Sequence, residues 1–503
     1  MSEDVGVGAE GEIQTPRFLQ IKEEVRKIFA DVLILPEAEI GDRAHFVIDL
    51  GGDSLSVIGV IAQLEEKYNI DISDEDFAKA VNVYEIAELI YKNTALSKEG
   101  EGSAAVRRIT TFEEMQAAKE FLKKQEQFDL KSVQLLNLET AANGKAAVSF
   151  AGGDYLGVSK SSEVIRAARR AVKRYGVGKC GGRRQAGEQE IYARVEQQIA
   201  RLKQTGAALL LPDAYSADGA VIGHLFGAQD LLLCDEAASA QLMQGCRASK
   251  AELALYPHGD LAALEALLRG AQGKYEKVLL AAEGVCLKDG GLCPLEELLR
   301  LKIKYRCWLL LDGSHSDGVL GGTGGGIEEL LGVPGAAVEI RTGSLACALG
   351  ASGGYLAGSA ELIDYLRYTL PLADAGAPDF AAMGAVEKAL ELARTDRSSI
   401  AKLQENIAFF QEYAENRHLK MPGAGKSAIF PIVMGDTKRA VALCQSLLTR
   451  GYYIPVAAWP EVPEGEAALR FFITALHTKD QMKGALDALT ESMERDAQTG
   501  TDI

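Results

Sequence analysis

The sequence predicts a multidomain chain: a small all-α four-helix unit, then an α/β domain that carries a C-terminal α+β subdomain. Three observations predict it. Apolar residues near the N-terminus recur at helical spacing. A stretch poor in bulky apolar residues follows. From Ala147 onward, short apolar runs alternate with amphipathic segments. The chain has 503 residues, 47% apolar and 25% charged, enough for a large core.

Residues 1–16 read as a flexible tail, acidic and Gly-rich instead of basic then apolar, so no secretory leader is expected. Within 17–93, Phe18, Ile21, Val25, Ile28, Phe29 and Val32 predict an amphipathic first helix. A polar loop leads to Asp53-Ser54, and Ser54 suits the N-cap of a second helix whose apolar face is Leu55, Ile58, Ile61 and Leu64. Short helices are expected near Asp74–Lys79 and Val83–Tyr91. Residues 94–110 have linker composition, and as a coil they would span about 20–25 Å. A helical adaptor is expected over 111–146. In 147–376, the runs Ala208–Pro212, Leu231–Asp235, Val278–Ala282, Trp308–Asp312 and Val338–Thr342 read as buried parallel strands of a doubly wound domain. Residues 377–495 read as a smaller α+β subdomain with strands near Ala428–Met434 and Leu469–Thr474, and 496–503 as a second tail.

The net charge of −17 argues against nucleic acid, whose phosphates demand clustered Lys and Arg. Between Thr15 and Ala95 there are 16 Asp and Glu against 8 Lys and Arg, a surface that attracts a basic partner. No apolar run reaches the roughly 18 residues of a membrane span, and a cytoplasmic protein is expected. The eight cysteines are scattered without a CxxC pair, which argues for free thiols and against disulfides or zinc; no metal site is expected.

The segment Leu50-Gly51-Gly52-Asp53-Ser54-Leu55 puts a serine at a helix start beside an acid, where free N–H groups and the helix dipole suit a phosphodiester. Residues 18–92 resemble an acyl carrier protein, and the resemblance implies 4'-phosphopantetheine on Ser54, added by a phosphopantetheinyl transferase and charged by an acyl-loading enzyme.

Asp312 ends the apolar run Trp308-Leu309-Leu310-Leu311, at the sheet edge where open α/β sheets bind ligands. Together with the blocks Phe150–Gly157, Gly178–Glu196, Glu283-Gly284-Val285, Asp289-Gly290-Gly291, Thr342–Tyr355 and Arg470–Thr478, it makes residues 147 to about 492 resemble the α-oxoamine synthases. These pyridoxal-phosphate-dependent enzymes of fold type I join an acyl thioester to an amino acid with loss of carbon dioxide. The resemblance implies that Asp312 serves the pyridine nitrogen and His315 lies near the ring oxygen. Ser344, with backbone near Ala214 and Tyr215, would contact the phosphate, and Arg470 would clamp the amino-acid carboxylate, unless it forms only a salt bridge.

Departures from that pattern concentrate in the pocket. Cys347 stands in the slot of the Schiff-base lysine, and a thiol cannot form that bond. Ser239 stands where a histidine stacks on the ring, and it has no π face. Tyr192 replaces another histidine, Gly313 occupies a position often held by glutamate, and Asp374 falls near a phosphate-binding hydroxyl. Pyridoxal phosphate is thus expected, if it binds, without a Schiff base in this chain.

Three functions are compatible with this pattern. One is a subunit of a homodimer or heterodimer that presents its own thioester to a lysine-bearing homologue. Another is a self-sufficient acyltransferase using non-covalent pyridoxal phosphate or Cys347 as acyl acceptor. The third is a structural or regulatory dimerisation module with a carrier attached.

Overall fold

A computed structural model describes residues 15–52, 54–68, 72, 80–96, 122–123, 127–128, 133, 147–178, 181–423 and 425–499. The chain divides into two compact units, Met1–Ala117 and Ala118–Ile503. The helix expected near Asp74–Lys79, the 97–110 part of the linker and most of the adaptor lie outside the described residues.

In the smaller unit, Pro16 occupies the first turn of helix Pro16–Leu33, and Thr15 caps it by accepting from the Phe18 N–H at 3.2 Å. The expected apolar stripe is the core face: Phe18, Ile21, Val25, Ile28 and Phe29 are buried. Phe18 meets Tyr84 and Tyr91 of helix Val83–Leu96 edge-on, with centroids 5.2 and 5.7 Å away. Helix Ser54–Tyr68 starts at Ser54 itself. The loop before it is fixed by packing. Phe29 holds Phe46 at 4.7 Å, and a Cβ on Gly52 would come within 2.4 Å of the Phe46 ring.

The larger unit contains β1 (Val148–Ser149), β2 (Ala207–Leu211), β3 (Leu231–Asp235), β4 (Glu252–Tyr256), β5 (Val278–Glu283) and β6 (Trp308–Asp312). They are followed by β7 (Ile340–Ser344), β8 (Gly354–Gly358), β9 (Ile429–Gly435), β10 (Tyr452–Tyr453), β11 (Val456–Ala457) and β12 (Ala467–Phe472). The central seven-stranded sheet has the order β2-β8-β7-β6-β5-β3-β4.

This sheet contains two strands beyond the five expected, and one of them is not parallel. β8 runs antiparallel to both β2 and β7, so β2 shares the common direction yet bonds only to an antiparallel neighbour. β4 is an additional edge strand, parallel to β3. The five expected runs all form strands; two keep their ends and the others move by one or two residues, β7 spanning Ile340–Ser344. The sheet is sandwiched: Leu210, Leu233 and Leu311 belong to one buried cluster, Leu209, Leu232 and Leu310 to another, as period-two alternation in a doubly covered sheet requires.

C-terminally, β11-β12-β9 form an antiparallel sheet and β1 pairs parallel with β10. The boundary expected at 377 does not separate helix Phe380–Thr395 from the large domain. That helix packs on Ser162–Tyr175, closely enough that a Cβ on Gly384 would lie 2.6 Å from Ala171 Cβ. The last helix, Lys479–Thr499, continues past the expected tail boundary at 495.

Candidate active site

The carboxyl ends of β3, β5 and β6 open into a cavity of about 720 Å³. Tyr215, Ser239, Gln241, Glu283, Asp312, His315, Lys288, Glu461 and Arg470 line it. Of the residues singled out in the sequence, Asp312, His315, Tyr215, Ser239 and Arg470 are therefore brought together. Ala214, Ser344 and Cys347 do not line this cavity; Ser344 borders a separate cavity of about 20 Å³.

Asp312 is buried at the end of β6, where Ser314 donates to Oδ1 from its N–H at 2.8 Å and its hydroxyl at 2.6 Å. In the β5–β6 register Glu283 stands directly beside it. A third acid, Asp218, is buried on helix Ala214–Leu225; its Oδ2 accepts from Gln241 Nε2 at 2.7 Å, and the same nitrogen reaches Asp312 Oδ2 at 3.3 Å. Desolvation, then the charge of Asp312, raises Asp218 well above the carboxylate range and pushes Glu283 up to about 7. Burial raises Asp312 as well. The floor of the cavity thus holds protons that ordinary carboxylates would release. Sequence reasoning missed Asp218 and the pairing of Glu283, although an acid inside the apolar segment Ala217–Leu225 was a signal.

His315 is neutral: burial, then nearby Arg470, depresses it to about 4, and its Nδ1 lies 2.8 Å from Tyr155 Oη. Ser239 N-caps helix Ala240–Ala248, its Oγ accepting from Leu242 N–H at 3.3 Å while its own N–H donates to Glu283 at 2.9 Å. Its hydroxyl serves the helix. Arg470, on β12, is 5% exposed and is ion-paired through Nη1 with Glu461; its buried Nε has no hydrogen-bond partner among the described residues.

Cys347 is half-buried, and desolvation pushes its thiol up to about 11. The loop around it is tight, since a Cβ on Gly153 would lie 2.9 Å from its Sγ. Tyr192 is packed in the core, its hydroxyl donating to Pro378 O at 3.1 Å. Asp374 accepts from Arg184 N–H at 2.7 Å, tying helix Pro371–Ala375 to the Gly182 loop. A Cβ on Gly313 would sit 2.5 Å from Asp317 Oδ2, so a larger residue there would displace the carboxylate that holds Lys203 at 2.7 Å.

Among the described lining residues Lys288 is the one lysine, and it is engaged. Lys288 pairs with Glu466 at 2.8 Å, and the buried Lys203 binds Asp317, Glu328 at 3.0 Å and Gly325 O at 2.8 Å. Asp312 and neutral His315 fit a pyridine ring. The described residues lining the cavity do not fit an aldehyde that needs an uncommitted amine. At the start of helix Ala214–Leu225, Asp213 takes the Ser216 N–H at 2.7 Å, a donor that a phosphate would otherwise use.

Residues 145–489 match the aminotransferase class I and II family, and residues 23–90 match the phosphopantetheine attachment site. The chain belongs to the class I and II aminotransferase family. Within it, the chain is similar to the α-oxoamine synthases. It is 36% identical over 361 residues to a putative 8-amino-7-oxononanoate synthase of Gloeobacter violaceus, covering 70% of this chain and 90% of that one. It is 32% identical over 351 residues to 8-amino-7-oxononanoate synthase 1 of Bacillus subtilis, covering 70% and 89%. In fold it is similar to the serine palmitoyltransferase of Sphingomonas wittichii, with TM-score 0.71 at 23% identity, over 77% of this chain and 99% of that one. A carrier domain thus precedes a transferase domain of fold type I. Among the described residues no helix is long and apolar enough to cross a membrane.

Proposed function

We propose that this protein is a carrier-fused α-oxoamine synthase-like subunit. It presents an acyl thioester, held on phosphopantetheine at Ser54, for decarboxylative condensation with an amino acid, and it completes or feeds a lysine-bearing partner. The observation that carries this reading is the cavity at the carboxyl ends of β5 and β6, which keeps Asp312 and a neutral His315 but offers no uncommitted amine among its described lining residues. In this reading Cys347 occupies the lysine slot, and pyridoxal phosphate binds without covalent attachment to this chain.

When bound, the coenzyme supplies an electron sink for loss of carbon dioxide. In this chain's pocket, residues remain that would hold and orient such a group. Asp312 would face the pyridine nitrogen, and His315, uncharged at neutral pH, would orient the ring by hydrogen bonding. Arg470, paired here with Glu461, would take the substrate carboxylate in exchange for that partner. Condensation forms a carbon–carbon bond, breaks the thioester C–S bond and leaves the free thiol on the carrier arm. A phosphopantetheinyl transferase and an acyl-loading enzyme supply that arm, and a short tether holds it at an effective concentration on the order of mM.

Acyl acceptance by Cys347 is disfavoured, because a thiol raised to about 11 is almost wholly protonated at neutral pH. Mixing the acyl-loaded chain with a lysine-bearing homologue tests the proposal. Product should form in the mixture and be lost in the Ser54→Ala chain. Full turnover by this chain alone would refute it.

A further inference from the structure

We propose a divalent metal site, of the kind that takes Zn²⁺, at the carboxyl ends of β3, β4 and β5, built from His258, Asp289 and Cys286 with Asp235 behind the histidine. The candidate ligand atoms of His258, Cys286 and Asp289 all lie within 4.8 Å of one another. A tetrahedral set about 2.0–2.3 Å from an ion has its ligand atoms roughly 3.3–3.8 Å apart. His258 Nε2 and Asp289 Oδ2 are already 3.2 Å apart, so a small side-chain rotation closes the set.

The fold delivers these residues from three neighbouring strands. β3 ends at Asp235, in register with Tyr256 at the end of β4, and His258 follows two residues later. On the other side of β3, β5 runs into a hairpin closed by the Val285–Leu292 bridge, and this hairpin carries both Cys286 and Asp289. Gly290 turns it with φ +77, beside Ile429 O at 2.2 Å from any added Cβ.

The arrangement around His258 is the one that ligating histidines use. Its Nδ1 lies 2.9 Å from Asp235 Oδ1, which leaves Nε2 for the ion and fixes the ring. Asp289 is oriented in the same way, its Oδ1 taking the Gly291 N–H at 2.8 Å while Oδ2 remains on the His258 side. One nitrogen, one thiolate and one carboxylate suit a borderline ion such as Zn²⁺, and three protein ligands leave a fourth position open. That position adjoins a cavity of about 300 Å³ lined in part by Tyr256, Leu292 and Cys293, which has room for water or a small ligand. The absence of paired-cysteine spacing concealed the site, because the ligands come from separate loops.

Titration of the chelator-stripped, full-length protein with Zn²⁺ by calorimetry, and with Co²⁺ by absorption spectroscopy, tests the proposal. The expected result is one ion per chain and a thiolate-to-cobalt charge-transfer band. Affinity should fall at least 100-fold in Cys286→Ser and His258→Ala, and about 10–100-fold in Asp235→Asn. Substoichiometric binding by the unaltered protein, or stoichiometric cobalt without the thiolate band, would overturn the site whatever the variants do. Loss of the band in Cys293→Ser but not in Cys286→Ser would equally overturn it.

Discussion

At Cys347, a thiol raised to about 11 has, at pH 7.5, a thiolate fraction roughly 300-fold below that of a free cysteine. Iodoacetamide should therefore label the Cys347 peptide about two orders of magnitude more slowly than a free thiol, as read by mass spectrometry; labelling at the free-thiol rate would return Cys347 to consideration as a nucleophile. Glu283 makes a second prediction. Its folded-state value of about 7 lies above the ordinary 4.5, so its contribution to stability is fully present below pH 4.5 and is lost as pH rises through 7. Glu283→Gln removes that loss. The variant should be more stable than the parent at pH 8, by on the order of 3 kcal/mol at most, with the gap closing near pH 4.5 in urea unfolding. A gap independent of pH would contradict the assignment. Asp312 and His315 were legible because they sit in an ordered block at a strand end. The proton-holding partners of Asp312 were not, since Asp218 reaches it from a helix some 90 residues earlier and only the folded sheet puts Glu283 alongside.

The elements most easily read were those with one consistent environment. β3, β5 and β6 lie inside the sheet and appear as unbroken apolar runs. β4 escaped notice because it is an edge strand whose outward side chains are only partly covered, and β8 because glycines bound it and it follows directly on the Cys347 loop. In the carrier unit the stripe of the first helix was legible, but the packing of the loop before Ser54 was not. Gly52→Ala would press its methyl into the Phe46 ring, and overpacking of this kind costs about 1–3 kcal/mol. The carrier unfolding transition should fall accordingly, with that of the larger unit unchanged. A carrier of unaltered stability would show that the loop relaxes freely.

Across the whole molecule, the larger unit contains a buried network that joins Lys203, Asp317, Glu328 and Arg341. Arg341 is 1% exposed and also donates to Val338 O and Gly335 O, at 2.8 and 2.7 Å. Lys203→Met would leave two buried carboxylates short of a cation, and should cost the larger unit about 3–5 kcal/mol in denaturant unfolding. A cost below 1 kcal/mol would mean that water or rearrangement replaces the lysine. In the proposed function the covalent anchor comes from outside this chain, since Lys288, the lysine among the described cavity-lining residues, is paired with Glu466. Borohydride reduction in the presence of pyridoxal phosphate, followed by intact mass spectrometry, tests that most directly. With this chain and a lysine-bearing homologue together, the pyridoxyl mass should appear only on the homologue. A stoichiometric pyridoxyl adduct on a lysine of this chain would contradict the account.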